Sequence, residues 1–211
     1  MRIAIVDYDV GNVRSILSAF ENQGSDAFLT NKKEEILSAD GLVLPGVGAF
    51  SHGMENLISF CLVDMIKEYV LLEKPFLGIC LGMQMLFDES EEFGGAKGLG
   101  LIPGKVIKLP TKDVLNEKLP HVSWNELNSN SVRWDQTILE GVTDGSDVYF
   151  VHSFIAQPEN PSHVLSTTEY SGYHFCSSIK KGNIYGCQYH PEKSGDVGLN
   201  IIKNFVRICQ Q

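Results

Sequence analysis

Gly78-Ile79-Cys80-Leu81-Gly82 sets a thiol between two glycines, leaving room for a sharp turn that lifts the sulfur clear of the backbone. This is the cysteine form of the G-x-S-x-G elbow. An apolar run, Phe76-Leu77-Gly78-Ile79, leads into it, and a helix is expected just after Cys80. Backbone N–H groups and the positive end of that helix would favour thiolate. They could also hold an oxyanion once the sulfur had attacked a carbonyl. The bland alternative is a small apolar cysteine packed in a Gly-rich turn, the reading that suits Cys61 on its helix stripe.

A base and its orienting acid stand far along the chain, in His190-Pro191-Glu192. Proline drives the preceding residue toward extended backbone, so His190 should continue a strand running through 184–189. Residues i and i+2 of an extended chain project to one side, so Glu192 could reach one imidazole nitrogen and leave the other to take a thiol proton. The alternative is a surface His beside a surface Glu. Zinc deaminases also use H-x-E, but with a downstream P-C-x-x-C that is absent here, so neither metal nor cofactor is expected. A third segment, Pro45-Gly46-Val47-Gly48, closes the apolar run Gly41-Leu42-Val43-Leu44. Parallel sheets bind ligands beyond the carboxyl ends of their strands, so this turn should approach the elbow, with Val47 as a second oxyanion donor.

The elements that must bring these segments together are read from periodicity. Ile3-Ala4-Ile5-Val6 is a buried strand, and Val13, Ile16, Leu17 and Phe20 mark one helix face that Gly24 ends. Met54, Leu57, Ile58, Cys61, Leu62, Met65, Ile66 and Tyr69 trace a stripe along one long helix. Alternating strands and helices imply a mostly parallel central sheet flanked by helices, an α/β fold. From about residue 104 the rhythm becomes strand-rich: 105–109, 148–152, 164–168, 175–179 and 184–188, with turns at Pro158, Pro161, Gly172 and Gly182. Val197, Ile201, Ile202, Phe205, Val206 and Cys209 make a closing amphipathic helix. With no repeat or linker, residues 1–211 are expected to form a single domain.

Composition narrows the classes. Seventeen Lys+Arg against 26 Asp+Glu give a formal charge of -9, which opposes nucleic-acid and anionic-membrane binding. Hydrophobic residues at 43% suffice for a core, while no apolar run approaches the ~20 residues that span a bilayer. The five cysteines (Cys61, Cys80, Cys176, Cys187 and Cys209) form no C-x-x-C pair, and no signal-like segment precedes Asp7, so a cytoplasmic protein without disulfides is expected.

Pro45-Gly46-Val47-Gly48-Ala49-Phe50, Gly78 to Gln84 and Gln188-Tyr189-His190-Pro191-Glu192-Lys193-Ser194 resemble, in this order, the triad (class I) glutamine amidotransferases. Asp7-Tyr8 with Gly11-Asn12, the 98–104 segment, Leu119-Pro120-His121 with Trp124-Asn125, and Tyr149 to Ser153 narrow the likeness to the glutaminase subunits of imidazole glycerol phosphate synthase. The resemblance spans essentially the whole chain and implies a flavodoxin-like class I fold. It implies that Cys80 attacks the side-chain amide of L-glutamine, with His190 as base and Glu192 orienting it. It further implies oxyanion donors at Leu81 and Val47, and a substrate site at Gly48, Gln84 and Glu92, though Glu92 also reads as a solvated acidic helix end. Ammonia would pass to a (β/α)8-barrel cyclase subunit in a heterodimer of histidine biosynthesis, with Asn12, Trp124 and Lys193 toward that partner. For Trp124, an ordinary buried tryptophan is the competing reading. Asp9, Ser123 and Tyr189 depart from the family's usual Gly, Gly and Phe. Two further readings stay open: a paralogue supplying ammonia for amidation of a surface-polysaccharide sugar, and a non-catalytic or stress-response protein of the same fold.

Overall fold

The structure, a computed structural model, describes residues 1–11, 13–110 and 119–211. Its first half runs β1 (Arg2–Val6), α1 (Val13–Glu21), β2 (Asp26–Thr30), α2 (Lys33–Ser38), β3 (Gly41–Leu44), α3 (Phe50–Ser59), α4 (Leu62–Leu71), β4 (Phe76–Ile79) and the short α5 (Leu81–Gln84). Successive residues of a buried strand point to opposite faces, and the core divides accordingly. Ile3, Ile5, Val43, Leu77 and Ile79 pack on one face with Ile16 and Phe20 of α1. Ala4, Val6, Leu42, Leu44 and Phe76 pack on the other with Met54 and Leu57 of α3 and Ile66 and Tyr69 of α4.

The second half adds β5 (Phe87–Ser90), β6 (Ala96–Lys97), β7 (Ile102–Lys108), β8 (His121–Leu127), β9 (Ser146–His152), β10 (Phe154–Pro158), β11 (Val164–Tyr170), β12 (Tyr173–Lys181), β13 (Ile184–Cys187) and α6 (Gly195–Ile208). The central sheet has the order β11-β12-β13-β4-β3-β1-β2. From β2 to β13 its neighbours are parallel, and β12 and β11 extend it antiparallel. A second sheet orders β10-β7-β5-β6, and β8 and β9 form an antiparallel ribbon. Leu44 of β3 lies opposite Gly78 of β4, and Cys187 of β13 opposite Ile79. Three neighbouring strands therefore end together, and the segments that follow them emerge side by side at one edge.

Several elements differ from the periodic reading. The expected long helix breaks at Cys61, which takes the left-handed conformation (φ 56°) between α3 and α4, and Cys61 is exposed rather than packed. Leu57 on one side of the break and Leu62, Ile66 and Tyr69 on the other still face the core, so the stripe runs across it. The strand expected through 184–189 ends at Cys187, and Pro191–Lys193 is a turn of 3-10 helix. Neither β2, a half-exposed edge strand, nor the six-residue α2, with Ile36 alone buried, stood out from the pattern. No helix among the described residues is long and apolar enough to cross a membrane.

Candidate active site

The turn after β4 is built by backbone contact that only glycine permits. Cys80 adopts φ 54°, ψ −111°, a conformation unfavourable for a residue with a side chain and costing of order 1–3 kcal/mol. A Cβ on Gly82 would lie 1.9 Å from the Leu44 carbonyl oxygen, and one on Gly78 would lie 2.8 Å from the Gly82 backbone. Both flanking glycines are thus needed for α5 to fold back onto the end of β3. The strained residue is held by Cys80 N–H donating to the Cys187 carbonyl at 2.7 Å and its own carbonyl accepting from Gln84 N–H at 3.1 Å. Because α5 is four residues long, the dipole expected behind the cysteine reduces to the local N–H groups of its first turn.

His190 approaches from the neighbouring strand. Its N–H donates to the Tyr149 carbonyl (2.9 Å) and its carbonyl accepts from Ser194 Oγ (2.7 Å), while Ser194 Oγ also accepts from Tyr149 N–H (3.0 Å). His190 Nδ1 lies 2.9 Å from Glu192 Oε1, and both side chains are buried. The i, i+2 pairing foreseen from an extended chain is reached differently: His190 is extended, but the 3-10 turn from Pro191 curls Glu192 back beneath the ring. Nε2 is buried without a hydrogen-bond partner among the described residues. Burial opposes the protonated ring, yet the Cys80 sulfur and the Glu192 carboxylate outweigh it and push the His190 pKa up to about 10.

Cys80 and His190 open onto one cavity of about 320 Å³, within the range of small-molecule sites. Val47, Gly48, Leu81, Gln84 and Glu92, all singled out in the sequence, line it too, together with Val151, His152 and Phe154. Gly48 has φ 97°, the left-handed side that suits glycine. The Gln84 amide donates to the Phe154 carbonyl (2.9 Å) and to Gln188 Oε1 (3.0 Å), and Gln188 Nε2 lies 3.9 Å from the Cys80 sulfur. Glu92 is not simply a solvated helix end: its carboxylate accepts from the Phe50 N–H at 2.6 Å, at the start of α3.

The residues expected toward a partner separate. Trp124 on β8 is 52% exposed, which removes the buried-core reading, and its ring lies 6.0 Å from Tyr149, itself 6.5 Å from the His190 ring. Lys193 is exposed beside Glu192. Asn12 lies outside the described residues.

Sequence reasoning gave no role to Tyr8, Gln188 or the buried pair His121–His152. His121 Nδ1 and His152 Nε2 are 3.0 Å apart, and His152 Nδ1 lies 3.0 Å from the Phe154 carbonyl oxygen, so His152 donates there and accepts from His121. Burial, reinforced by His121, pulls the His152 pKa down to about 3. The departures from the family pattern also find places. Asp9 takes φ 64°, where a glycine would be at ease, Ser123 Oγ is 2.9 Å from His121 Nε2, and the Tyr189 hydroxyl is 3.0 Å from Ser178 Oγ. Among the described residues no three His, Cys, Asp or Glu side chains converge as metal ligands.

A strained cysteine elbow at the carboxyl edge of a parallel sheet, beside a carboxylate-backed histidine, is the arrangement of a thiol-dependent amidotransferase. The glutamine amidotransferase class-I family model matches residues 4–209, and the chain belongs to that family. Two solved structures share the fold: a glutamine amidotransferase (TM-score 0.73, 16% identity, 99% of each chain covered) and PurLQS from Thermotoga maritima (0.72, 17%, 98% of this chain and 97% of that one). Within the family the chain belongs with the subunits called imidazole glycerol phosphate synthase subunit HisH. It is 50% identical to HisH 1 of Legionella pneumophila strain Lens (98% of this chain, 99% of the relative) and 45% identical to HisH of Bacillus cereus strain G9842 (99% and 95%).

Proposed function

We propose that this chain is the glutaminase subunit of an imidazole glycerol phosphate synthase, hydrolysing L-glutamine to glutamate and ammonia through Cys80, His190 and Glu192 and delivering the ammonia to a cyclase subunit in histidine biosynthesis. The observation that carries the chemistry is the 2.9 Å contact of His190 Nδ1 with Glu192 Oε1, which leaves Nε2 as the nitrogen available to the thiol in the shared cavity.

The Cys80 proton passes to Nε2, and the sulfur attacks the carboxamide carbon of glutamine. The oxygen becomes an oxyanion, held by the N–H groups of Leu81 and Val47. Collapse breaks the C–N bond, and His190 returns its proton to the departing amine, releasing ammonia and leaving a glutamyl thioester. Water then attacks the thioester carbon and loses a proton to Nε2. The C–S bond breaks, glutamate leaves, and His190 restores the thiol. Gln84 and Glu92 suit the amino-acid portion of glutamine, Glu92 by placing a carboxylate against its ammonium. Ammonia is a nucleophile only while unprotonated, which favours transfer along a route shielded from bulk water to a partner chain. The exposed Trp124 indole, 6.0 Å from the Tyr149 ring, and the exposed Lys193 beside Glu192 support a partner surface there.

Glutamate release by wild type and Cys80→Ala, each with and without a (β/α)8-barrel cyclase and its ligand, tests both halves. Loss of about 10³-fold or more in Cys80→Ala is expected, together with stimulation of the wild type by the cyclase. Undiminished turnover in Cys80→Ala would remove the triad, whereas equal wild-type turnover with and without the barrel would remove the partner.

A further inference from the structure

The turn after β3, residues 45–49, carries the Val47 N–H assigned above to the oxyanion and is rich in glycine. Its two ends are fastened by side chains distant in sequence. At the far end, Phe50 N–H donates to Glu92. At the near end, the Tyr8 hydroxyl donates to the Pro45 carbonyl at 2.5 Å. Tyr8, two residues beyond β1, is fully buried, and its own carbonyl accepts from the Asn56 amide of α3 (3.0 Å). The fit leaves no slack: a Cβ at position 46 would lie 2.8 Å from Leu81 Cβ, 2.9 Å from Gly82 N and 2.9 Å from the Tyr8 hydroxyl. Tyr8, the turn and the first residues of α5 are therefore in mutual contact around Gly46.

We infer that Tyr8 is a positioning residue of the reaction: by holding the Pro45 carbonyl it sets the turn so that the Val47 N–H meets the oxyanion formed at Cys80. The inference rests on the oxyanion role proposed for Val47 and goes beyond it by naming what orients the donor. Burial, with a smaller push from the Cys80 charge, raises the Tyr8 pKa, so the hydroxyl stays protonated and remains a donor. An ordinary core tyrosine would need some acceptor for its buried hydroxyl. What distinguishes this one is that its acceptor is the carbonyl at the head of the turn, two residues before Val47.

Tyr8→Phe keeps the ring and removes only the bond to Pro45. In the full chain with its cyclase present, kcat for glutamine hydrolysis is expected to fall about tenfold, short of the 10²–10³ lost with a whole oxyanion donor. KM should stay within about twofold, because the bond supports the transition state rather than ground-state binding. Alkylation of Cys80 by iodoacetamide, followed on the Cys80 peptide by mass spectrometry, needs thiolate but no oxyanion donor, and its rate should not change. Val47→Pro removes the donor itself and serves as reference, with the same alkylation assay reporting whether its elbow is intact. Adding Tyr8→Phe to Val47→Pro should cost nothing further. Unchanged kcat in Tyr8→Phe while Val47→Pro is impaired overturns the Tyr8 inference alone. Full additivity of the two losses overturns it as well, since Tyr8 would then act elsewhere. Unimpaired Val47→Pro overturns the oxyanion reading beneath it, and a parallel loss of kcat and alkylation rate in Tyr8→Phe assigns the tyrosine to support of the elbow instead.

Discussion

His190 and His152 line one cavity and are both buried, but they are held by opposite kinds of neighbour. His190 has a carboxylate on one side and the Cys80 sulfur on the other, and its pKa is raised to about 10. His152 has a second imidazole on one nitrogen and a backbone carbonyl on the other, and its pKa falls to about 3. Desolvation is the largest single influence on each ring and lowers both, so depth of burial does not separate them. The signs differ because the Cys80 sulfur and the Glu192 carboxylate favour the protonated ring of His190, whereas His121 and, less strongly, His190 disfavour that of His152. One corner of the cavity stabilises a protonated imidazole, as the proposed proton transfer requires. The other is arranged to stay neutral, with a fixed direction of hydrogen bonding that ends on Phe154, the carbonyl that also receives Gln84.

The comparison breaks most easily at its strong corner. His190→Asn should abolish the base and reduce glutamine hydrolysis by about 10³-fold or more, whereas His152→Gln, which removes no reacting group, should cost of order tenfold through Gln84 and Phe154. Steady-state kinetics of the two variants side by side would decide it, and equal losses would erase the distinction. Next in size is Glu192→Gln, which keeps the shape but removes one of the charges that stabilise the imidazolium. A loss of about 10²-fold or more is expected. Because Glu192 raises the His190 pKa, the basic limb of the kcat/KM profile should also move to lower pH. A profile identical to wild type would show that the carboxylate only fills space.

How much of this could be read beforehand follows from the distance along the chain between the groups. Cys80 with its glycines, and His190 with Glu192, are local signals: a few consecutive residues specify the turn and the side chain it presents. The three strand ends could be brought together on paper because apolar runs punctuated by glycine or proline specify a parallel sheet. The supports of the site were out of reach. Glu92 binds Phe50 across 42 positions, Tyr8 binds Pro45 across 37 and His121 meets His152 across 31, and no periodicity relates such partners. The break at Cys61 was invisible for a different reason. Leu57, Leu62, Ile66 and Tyr69 keep facing the core on both sides of it, so a stripe of apolar residues records which side is buried but not that the backbone has turned left-handed. Glu92 was legible as a charge and not as a contact: its place in an acidic run suited solvent as well as substrate, until the Phe50 N–H gave it a fixed partner.

The smallest expected effect sharpens the contrast through stability rather than rate. A histidine whose folded pKa is raised stabilises the fold below its unfolded value, and that contribution is lost as pH rises through the folded value. For His190 the window runs from 6.5 up to about 10. A histidine whose folded pKa is lowered does the reverse: the fold holds it neutral, so stability is intact above 6.5 and is lost as pH falls toward about 3. Urea midpoints of wild type minus His190→Gln should therefore shrink as pH rises from about 7 to about 9, while those of wild type minus His152→Gln should shrink as it falls from about 7 to about 5. Subtracting each variant cancels the groups that do not interact with the ring, leaving the ring with the neighbours coupled to it. Since Cys80 is the largest of the influences that raise the His190 pKa, repeating the first difference in a Cys80→Ala background should flatten its alkaline slope and leave the acid slope of His152 as it was. An alkaline slope that survives loss of the sulfur would assign the raised pKa to Glu192 alone and uncouple the thiol from the base.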